Sequence, residues 1–275
     1  MPLTQSDKAL LFLSQHSAKK LLLLPNIWDV LSAKLVALLG FPSIATASAA
    51  VALSNGYPDG EHIPFTRLLQ IVRLINNEVD LPLTVDIERG FADDIPQLKE
   101  NIKLLIEAGA IGLNIEDGLG RDKGLRSIQE QCQRIEAIKE TGLQNGVPII
   151  INARTDIFIH PPQEDQIEEA ITRATAYRAA GADCFYPILI NNYDQLGQII
   201  TNVQMSVNVL LIKPVSNIQK LESMGVSRIS VGPTLLKLAL TKIKNAAEGL
   251  LNYETEELFG RELLPGEFIE GLIKK

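Results

Sequence analysis

A repeated pattern of helix, glycine and short apolar strand constrains the fold of this chain more than any other feature. It occurs as LLG-FPSIATAS, EAG-AIGLNIED, AAG-ADCFYPI and SMG-VSRISVG, with glycines at positions 40, 109, 181 and 225. Each glycine lies where a helix ends in a left-handed residue before the chain enters a strand. Two Pro-initiated apolar segments, LPLTVDIE and VPIIINARTD, and the segment VNVLLIK predict further strands.

The pattern predicts eight strands that alternate with helices, near 21–25, 43–47, 82–88, 111–116, 147–154, 183–187, 207–213 and 228–232. Regular alternation indicates a parallel sheet, and eight near-continuous apolar strands predict a closed (β/α)₈ barrel. The whole chain, residues 1–275, is expected to form this single domain. An open doubly wound sheet is the alternative, although no GxGxxG motif follows the first strand.

The chain after the eighth strand is expected to form a helix, 234–250, and an apolar helical tail, 252–275. The tail carries more apolar residues than a lone terminal helix should leave in water. It is therefore expected to pack on another subunit or back on the barrel.

Composition excludes several classes of partner. The net charge of −7 argues against nucleic acid and against an anionic membrane surface, both of which require a basic face. The chain starts without a signal-like segment, and the aliphatic run Leu21 to Leu24 is far shorter than a membrane span. The two cysteines, Cys132 and Cys184, match no metal or disulfide spacing. A cytoplasmic location is expected.

Two carboxylates, Asp86 and Glu88, follow the apolar run LPLTV. Residues two apart on a strand point to the same face, so both acids are predicted to project from the end of a buried strand. Like charges repel unless a cation or a shared proton lies between them. The pair therefore indicates either a metal site or two solvated acids at a strand end.

Other predicted strands also end in polar residues, and the active sites of such barrels lie at this end. Because neighbouring strands lie ~4.8 Å apart, Glu116 can approach the same centre as Asp86 and Glu88. Their hard oxygens suit Mg²⁺ or Mn²⁺ rather than zinc. Arg154 is expected to hold a substrate carboxylate, to form a salt bridge with Glu116 or Asp117, or both. The other polar residues at strand ends are Ser48, Asn114, Asn152, Asp156, Tyr186 and Lys213, and Asp59 lies in the loop that follows the second strand.

The segment Gly118 to Arg126, GLGRDKGLR, joins strand four to its helix with three glycines and four charges. It directly follows the predicted metal ligand Glu116. A lid over the metal site is predicted, with an ordinary exposed loop as the alternative.

Five ordered motifs, LPNIWD, GFPSIATASAAVALSNGYPDG, VDIERGFADD, GLNIEDG and INARTD, resemble the isocitrate lyase/phosphoenolpyruvate mutase superfamily, and most closely its phosphomutase-like branch. The resemblance runs from about Leu24 to Gly232. It implies a (β/α)₈ barrel whose eighth helix is swapped between paired subunits, in a homodimer or homotetramer. It also implies cleavage or formation of a C–C or C–P bond next to a 2-oxo acid, with Mg²⁺ stabilising an enolate.

The resemblance also implies site residues. Asp86, Glu88 and Glu116 fall on the family's water-rich Mg²⁺ site, and Asp59 matches an acid that supports the water shell. Arg154 matches an arginine that contacts the substrate carboxylate. The backbone of Ala47, Ser48 and Ala49 matches a loop that binds the 2-oxo acid end.

The sequence departs from the family in its lid. GLGRDKGLR lacks the cysteine of the KKCGH-like loop of isocitrate and methylisocitrate lyases, and it lacks the lid asparagine of the phosphonate-handling members. Tyr186 stands near a position where those members often have histidine. Both a thiol-dependent lyase and a phosphonate enzyme are therefore in doubt.

Taken together, the sequence predicts a Mg²⁺-dependent (or Mn²⁺-dependent) lyase that cleaves a C–C bond in a small 2-oxo or 2-hydroxy carboxylic acid. Arg154 and Glu116 are predicted catalytic residues, Asn152 joins Arg154 in binding the substrate, and Tyr186 or a lid residue is the predicted proton donor. The alternatives are a C–P bond mutase or hydrolase and a non-catalytic carboxylate-binding member.

Overall fold

A computed structural model describes residues 3–16, 20–120, 123–161, 163–259 and 263–274. All eight predicted strands are present in this part of the chain, and the first is divided at Pro25 into two short pieces. The strands are β1 (Leu22–Leu24), β2 (Asn26–Ile27), β3 (Ile44–Thr46), β4 (Leu83–Asp86), β5 (Gly112–Glu116), β6 (Ile150–Thr155), β7 (Cys184–Pro187), β8 (Ser206–Leu210) and β9 (Arg228–Ser230).

The strands form a parallel barrel, so the open doubly wound sheet is wrong for this chain. The sheet runs β1-β9-β8-β7-β6-β5-β4-β3-β2. Its two ends, β1 and β2, are consecutive pieces of the segment 22–27. The first piece pairs with β9 and the second with β3, so one stretch of chain joins both ends of the sheet.

Helices follow the strands as the glycine pattern predicts. Asp29 caps the second helix by accepting a hydrogen bond from the backbone N–H of Ser32 at 2.7 Å. The helices are α1 (Gln5–His16), α2 (Val30–Leu38), α3 (Ser48–Ser54), α4 (Phe65–Glu78), α5 (Ile95–Glu107), α6 (Ile128–Gln144), a 3₁₀ turn at Ile157–Ile159, α7 (Gln166–Ala179), α8 (Tyr193–Asn202), α9 (Ile218–Ser223), α10 (Thr234–Leu251) and α11 (Gly266–Ile273).

Alternate residues of the strands face two environments, because successive side chains of a strand point to opposite sides. On β5, Leu113 and Ile115 belong to the hydrophobic cluster that also contains Leu98 and Ile102 of α5. The intervening residue Asn114 is hydrogen-bonded to Asn152 of β6. The barrel interior beneath the site is therefore polar.

The last two helices cover little of the barrel. Leu236 is the buried residue of α10, whereas Leu240, Ile243 and Leu251 are exposed. The short helix α11 packs against α2 and buries Leu272, as expected for a tail that folds back. Among the residues that the structure describes, none of the helices combines the length and the apolar character needed to cross a membrane.

Candidate active site

Asp86 and Glu88 lie together, but a tight turn places them there as much as strand alternation does. Strand β4 ends at Asp86, and Glu88 lies beyond it with φ at 50°. Gly90 and Phe91 also have positive φ, at 93° and 52°. An ideal Cβ on Gly90 would lie 2.6 Å from Leu98 Cδ1, so this position requires glycine for space as well as for conformation. The turn leaves the backbone carbonyl of Glu88 accepting from Glu116 N at 2.9 Å.

Ser48 lies close to two acids of the site, Asp86 and Asp59. Its backbone N–H donates to Asp86 Oδ2 at 3.2 Å, and its hydroxyl acts to lower the pKa of Asp59. The small-residue run around it was expected to be a loop, and this expectation is wrong beyond Ala47. Ala47 is the N-cap of α3, and Ser48 and Ala49 lie in its first turn. Alanine is the strongest helix former, so the run continues as a helix.

Arg154 lies between two carboxylates. Its Nη1 is 2.8 Å from Glu116 Oε2, and its Nε donates to Asp156 Oδ1 at 2.6 Å. The predicted salt bridge to Glu116 is confirmed, and the second acid is Asp156 rather than Asp117. Burial disfavours the charged guanidinium, but Glu116 and Asp156 outweigh it and raise the pKa of Arg154.

A pocket of about 600 Å³ opens at this end of the barrel. Five of the predicted site residues line it: Ser48, Asp59, Glu88, Glu116 and Arg154. Asp156, which follows a predicted strand, also lines it, as do four residues of the predicted lid segment: Gly118, Leu119, Gly120 and Lys123. The residues that sequence reasoning did not assign to the site are Gly60, His62, Arg89, Ile159 and His160. The remaining predicted site residues do not line the pocket; they are Ala47, Ala49, Asp86, Asn152 and Tyr186.

Burial of the acids gives the pocket its electrostatic character. Burial and the charge of Asp86 raise the pKa of Glu88 to about 8. The same two causes raise the pKa of Asp59, and the hydroxyl of Ser48 partly offsets them. Burial also raises the pKa of Glu116, with Arg154 opposing it. The ionised forms of several carboxyl groups are thus destabilised in this pocket, and a bound cation would stabilise them.

Tyr186 is a buried neighbour of the site. Its strand position pairs with Arg154, and its hydroxyl accepts a hydrogen bond from Ser230 at 3.4 Å. Burial raises the pKa of Tyr186 to about 12. The phenol therefore stays protonated at neutral pH and could donate a proton only to a ligand that reaches behind the pocket wall.

The donor set fits a hard cation that keeps part of its water shell. Among the described residues, no three His, Cys, Asp or Glu side chains are arranged as ready metal ligands. Asp86 is occupied by Ser48 and Glu116 by Arg154, which leaves the carboxylates near one another but not converged. Mg²⁺ usually keeps several waters and takes only one or two direct carboxylates, so this arrangement suits it.

The loop after β4 is fastened by groups outside the predicted site. Arg89 pairs with Glu61, whose Oε2 is 2.8 Å from Arg89 Nη2, and Phe91 N donates to Glu61 Oε1 at 2.7 Å. From α6, Arg134 donates to the backbone carbonyls of Arg89 and Ala92. The charged residues of the motif VDIERGFADD were a sequence signal for such contacts. The groups that make these contacts lie far away in the chain, so the sequence did not reveal them.

The described residues of the predicted lid lie beside the site. Gly118 forms an isolated antiparallel bridge with Leu125, and Leu119 N donates to Gly124 O at 2.9 Å. Gly118, Leu119, Gly120 and Lys123 line the pocket. These residues lie where a lid over the pocket is required to lie. Closure of the segment over the pocket stays a prediction.

The sequence profile of the family described as phosphoenolpyruvate phosphomutase matches residues 12–251. The chain belongs to this family, within the isocitrate lyase/phosphoenolpyruvate mutase superfamily that its motifs resemble. Homologues of the chain are lyases, mutases and hydrolases.

Individual proteins agree with this placement. The 2-methylisocitrate lyase of Bacillus subtilis (strain 168) is 27% identical over 247 residues, which cover 86% of this chain and 79% of that protein. A solved structure from Burkholderia cenocepacia J2315, described provisionally as a lyase/mutase, is 30% identical with a TM-score of 0.91 over 98% of this chain and 97% of that chain. A phosphonopyruvate hydrolase solved with oxalate and Mg²⁺ shares the fold, with a TM-score of 0.84 at 19% identity over 97% of this chain and 94% of that chain.

Proposed function

We propose that this protein is a Mg²⁺-dependent enzyme that cleaves a C–C bond in a small 2-oxo or 2-hydroxy carboxylic acid through an enolate. The observation that carries the proposal is the arrangement of Arg154 between Glu116 and Asp156, in the same pocket as Asp59 and Glu88. One wall offers a cation for a carboxylate, and the adjoining wall offers oxygens for a metal. The similarity to a 2-methylisocitrate lyase supports a C–C bond as the target.

Each part of the pocket would have a separate task. A bound Mg²⁺ would supply Lewis-acid stabilisation for the negative charge that develops on the 2-oxo group. Glu88 and Glu116 would hold the metal, with Asp86 and Asp59 contacting its waters. The guanidinium of Arg154 would bind the substrate carboxylate and keep the scissile bond in one orientation.

The proton that the enolate takes up needs a donor. Tyr186 carries a protonated phenol next to Arg154 but lies behind it. Lys123 lines the pocket from the predicted lid segment. We assign the donor to one of these two groups, and variants Tyr186→Phe and Lys123→Met separate them, because only the true donor's removal should abolish turnover while leaving substrate binding intact.

The test is proton NMR of the purified protein with Mg²⁺ and oxaloacetate, with EDTA and protein-free samples as controls. Metal-dependent loss of oxaloacetate above the metal-only background would support C–C cleavage. The methyl signal of acetate would indicate hydrolysis, whose second product, oxalate, has no carbon-bound proton, and the methyl signal of pyruvate would indicate decarboxylation. Methylisocitrate is the next substrate to test.

A C–P bond mutase or hydrolase is the second candidate, because the matching family is described by phosphoenolpyruvate phosphomutase. Phosphonopyruvate in the same NMR assay distinguishes it. Turnover of phosphonopyruvate alone would overturn the C–C proposal. Binding of oxalate with no turnover of any of the three substrates would indicate a non-catalytic carboxylate-binding protein.

We also propose that the chain forms a homodimer or homotetramer in which α10 packs on a second copy. An 18-residue helix that buries only Leu236 within the described chain leaves an apolar face in water. Exposed Leu240, Ile243, Leu250 and Leu251 form that face together with Tyr253 and Phe259 beyond the helix. Apolar surface of this kind on a folded chain marks a protein contact.

A further inference from the structure

We propose that Asp117, clamped by Tyr177 and Arg173 of α7, is a positioning residue that fixes Asp156 and, through it, the substrate-binding guanidinium of Arg154. The inference rests on the proposed function only for the identity of the ligand that Arg154 binds. It assigns a role to a group of buried side chains that does not line the pocket.

Asp117 is fully buried directly after β5, and both of its carboxylate oxygens are engaged. Oδ2 accepts from Tyr177 Oη at 2.7 Å and lies 3.2 Å from Arg173 Nη1. Oδ1 accepts from the backbone N–H of Asp156 at 2.9 Å. A buried carboxylate with this many donors is held rigidly, since releasing any one of them leaves a charge underbonded.

The contacts continue without a gap to the pocket. Asp156 Oδ1 accepts from Arg154 Nε at 2.6 Å, and Arg154 Nη1 meets Glu116 at 2.8 Å. Asp117 also donates its backbone N–H to Arg154 O at 3.2 Å. Two edges of the guanidinium are thereby fixed, and Nη2 makes no hydrogen bond to the described part of the chain, which leaves it for a ligand.

The same cluster holds the C-terminal end of the segment 118–126. Arg126 N donates to Asp117 O at 2.8 Å, and Arg173 Nη1 donates to Arg126 O at 3.0 Å. An ideal Cβ on Gly118 would lie 2.2 Å from Asp156 Oδ2, so a larger residue at this position would displace the Asp156 carboxylate. The position of Asp156 is thus set by Asp117 on one side and by Gly118 on the other.

Helix α7 supplies the clamp because Arg173 and Tyr177 are one turn apart on the same helix face. Glu169, a further turn away, forms an ion pair with Arg173, with its Oε1 2.8 Å from Arg173 Nε, and helps to orient it. Burial and the charge of Asp117 raise the pKa of Tyr177, so its hydroxyl stays a donor. A clamp from an outer helix gives the arginine one geometry before any ligand arrives, which lowers the entropic cost of binding.

The test compares Tyr177→Phe with Tyr193→Phe, a matched control in α8 whose hydroxyl accepts from Asn217 N at 3.0 Å, away from the site. The first readout needs no ligand: the Nε–Hε signal of Arg154 in ¹H–¹⁵N spectra, assigned by its loss in Arg154→Lys. Tyr177→Phe should shift this signal and speed its exchange with water, whereas Tyr193→Phe should leave it unchanged.

The second readout is calorimetric binding of oxalate at saturating Mg²⁺. Tyr177→Phe should weaken oxalate about tenfold, the size expected for one hydrogen bond to a charged group, while Mg²⁺ affinity stays the same. Both Tyr177→Phe and Arg154→Lys act through the guanidinium of Arg154. In the double variant, Tyr177→Phe should therefore add little to the loss of oxalate affinity that Arg154→Lys causes alone. Arg173→Lys should retain more oxalate affinity than Arg173→Met.

Gly118→Ala perturbs Asp156 without touching the buried cluster and serves as the second variant if Tyr177→Phe does not fold. An unchanged Arg154 signal in a folded Tyr177→Phe or Gly118→Ala protein would overturn the inference. Failure of the wild-type protein to bind oxalate would instead count against the proposed function, and the ligand-free signal would still decide the positioning role.

Discussion

The Nη1 atom of Arg154 lies 2.8 Å from the Oε2 atom of Glu116, across the residue pair that joins β5 to β6. The cation proposed to bind the substrate carboxylate is thus already paired with an acid proposed to hold the metal. A metal bound to Glu116 would draw on its charge, so the guanidinium of Arg154 would lose part of its counter-charge and become a better partner for an incoming anion. Metal and substrate are therefore expected to bind with positive cooperativity.

Replacing Arg154 by lysine should raise KM or the Kd of oxalate by about tenfold to a hundredfold, because lysine cannot reproduce the fixed fork of guanidinium donors. Mg²⁺ binding should change far less. Calorimetry with each ligand separately checks both statements. An oxalate affinity equal to that of the wild type would remove Arg154 from the carboxylate site.

Glu88→Gln should abolish metal-dependent turnover while leaving the fold intact, because the amide cannot supply a charged oxygen to Mg²⁺. Turnover and thermal unfolding are measured in the same preparation. Glu107→Gln, on the exposed face of α5, is the matched control and should behave as the wild type. Unchanged kinetics in Glu88→Gln would exclude this residue from the site.

The metal-free protein should lose stability as the pH rises toward 8. The pKa of Glu88 is about 8 in the folded chain and 4.5 as its ordinary value, so the folded state binds the proton more tightly. The neutral carboxyl of Glu88 therefore contributes to the free energy of unfolding. This contribution is complete below pH 4.5 and is lost as the pH rises through about 8, by up to a few kcal/mol. Unfolding in EDTA at pH 6 to 9 measures it, and Glu88→Gln should flatten the slope.

Mg²⁺ should reverse this trend, because a metal ion stabilises the same carboxylate that the proton otherwise neutralises. The rise in melting temperature on adding Mg²⁺ should grow between pH 6 and pH 9. An equal rise at all pH values would show that Glu88 does not exchange a proton for the metal.

His16 should make the folded chain sensitive to acid. Burial, with the charge of Arg228 adding to it, lowers the pKa of His16 to about 4 from 6.5. Its contribution to the free energy of unfolding is present above pH 6.5 and is lost as the pH falls through about 4, by about 3 kcal/mol at most. The difference in urea-unfolding free energy between the wild type and His16→Gln should shrink from pH 7 to pH 4.5. A constant difference would show that His16 titrates normally.

Removing the chain after Leu250 should lower the oligomer mass measured by light scattering, because it deletes much of the exposed apolar surface proposed as the subunit contact. Ile243→Lys, which leaves the chain length unchanged, should act in the same direction, since it places a charge in that contact. An unaltered mass in both proteins would defeat the proposal that this end of the chain joins two copies.

The barrel followed from sequence because its signals are local. A glycine such as Gly109 adopts φ of 105° to end a helix, and the apolar run after it forms a strand wherever it lies in the fold. The run around Ser48 was misinterpreted, because short stretches of small residues suit a loop, a tight contact or a helix equally.

The candidate site followed only in part. Strand ends meet at one rim of a barrel, so Glu88, Glu116 and Arg154 could be grouped from their positions along the chain. Pocket-lining residues contributed by the connecting loops, such as His62 and His160, carry no periodic signal and were missed.

The sequence by itself thus determined the order of strands and helices, the barrel and the carboxylates gathered at its rim, because hydrophobic period, caps and chain direction are properties of neighbouring residues. Only the tertiary structure decided that Arg154 pairs with Asp156 as well as Glu116, that Tyr186 lies behind the pocket wall, and that Asp117 faces α7. These facts depend on distances of a few ångströms between side chains far apart in the chain, and such distances are fixed by the packing of the whole barrel.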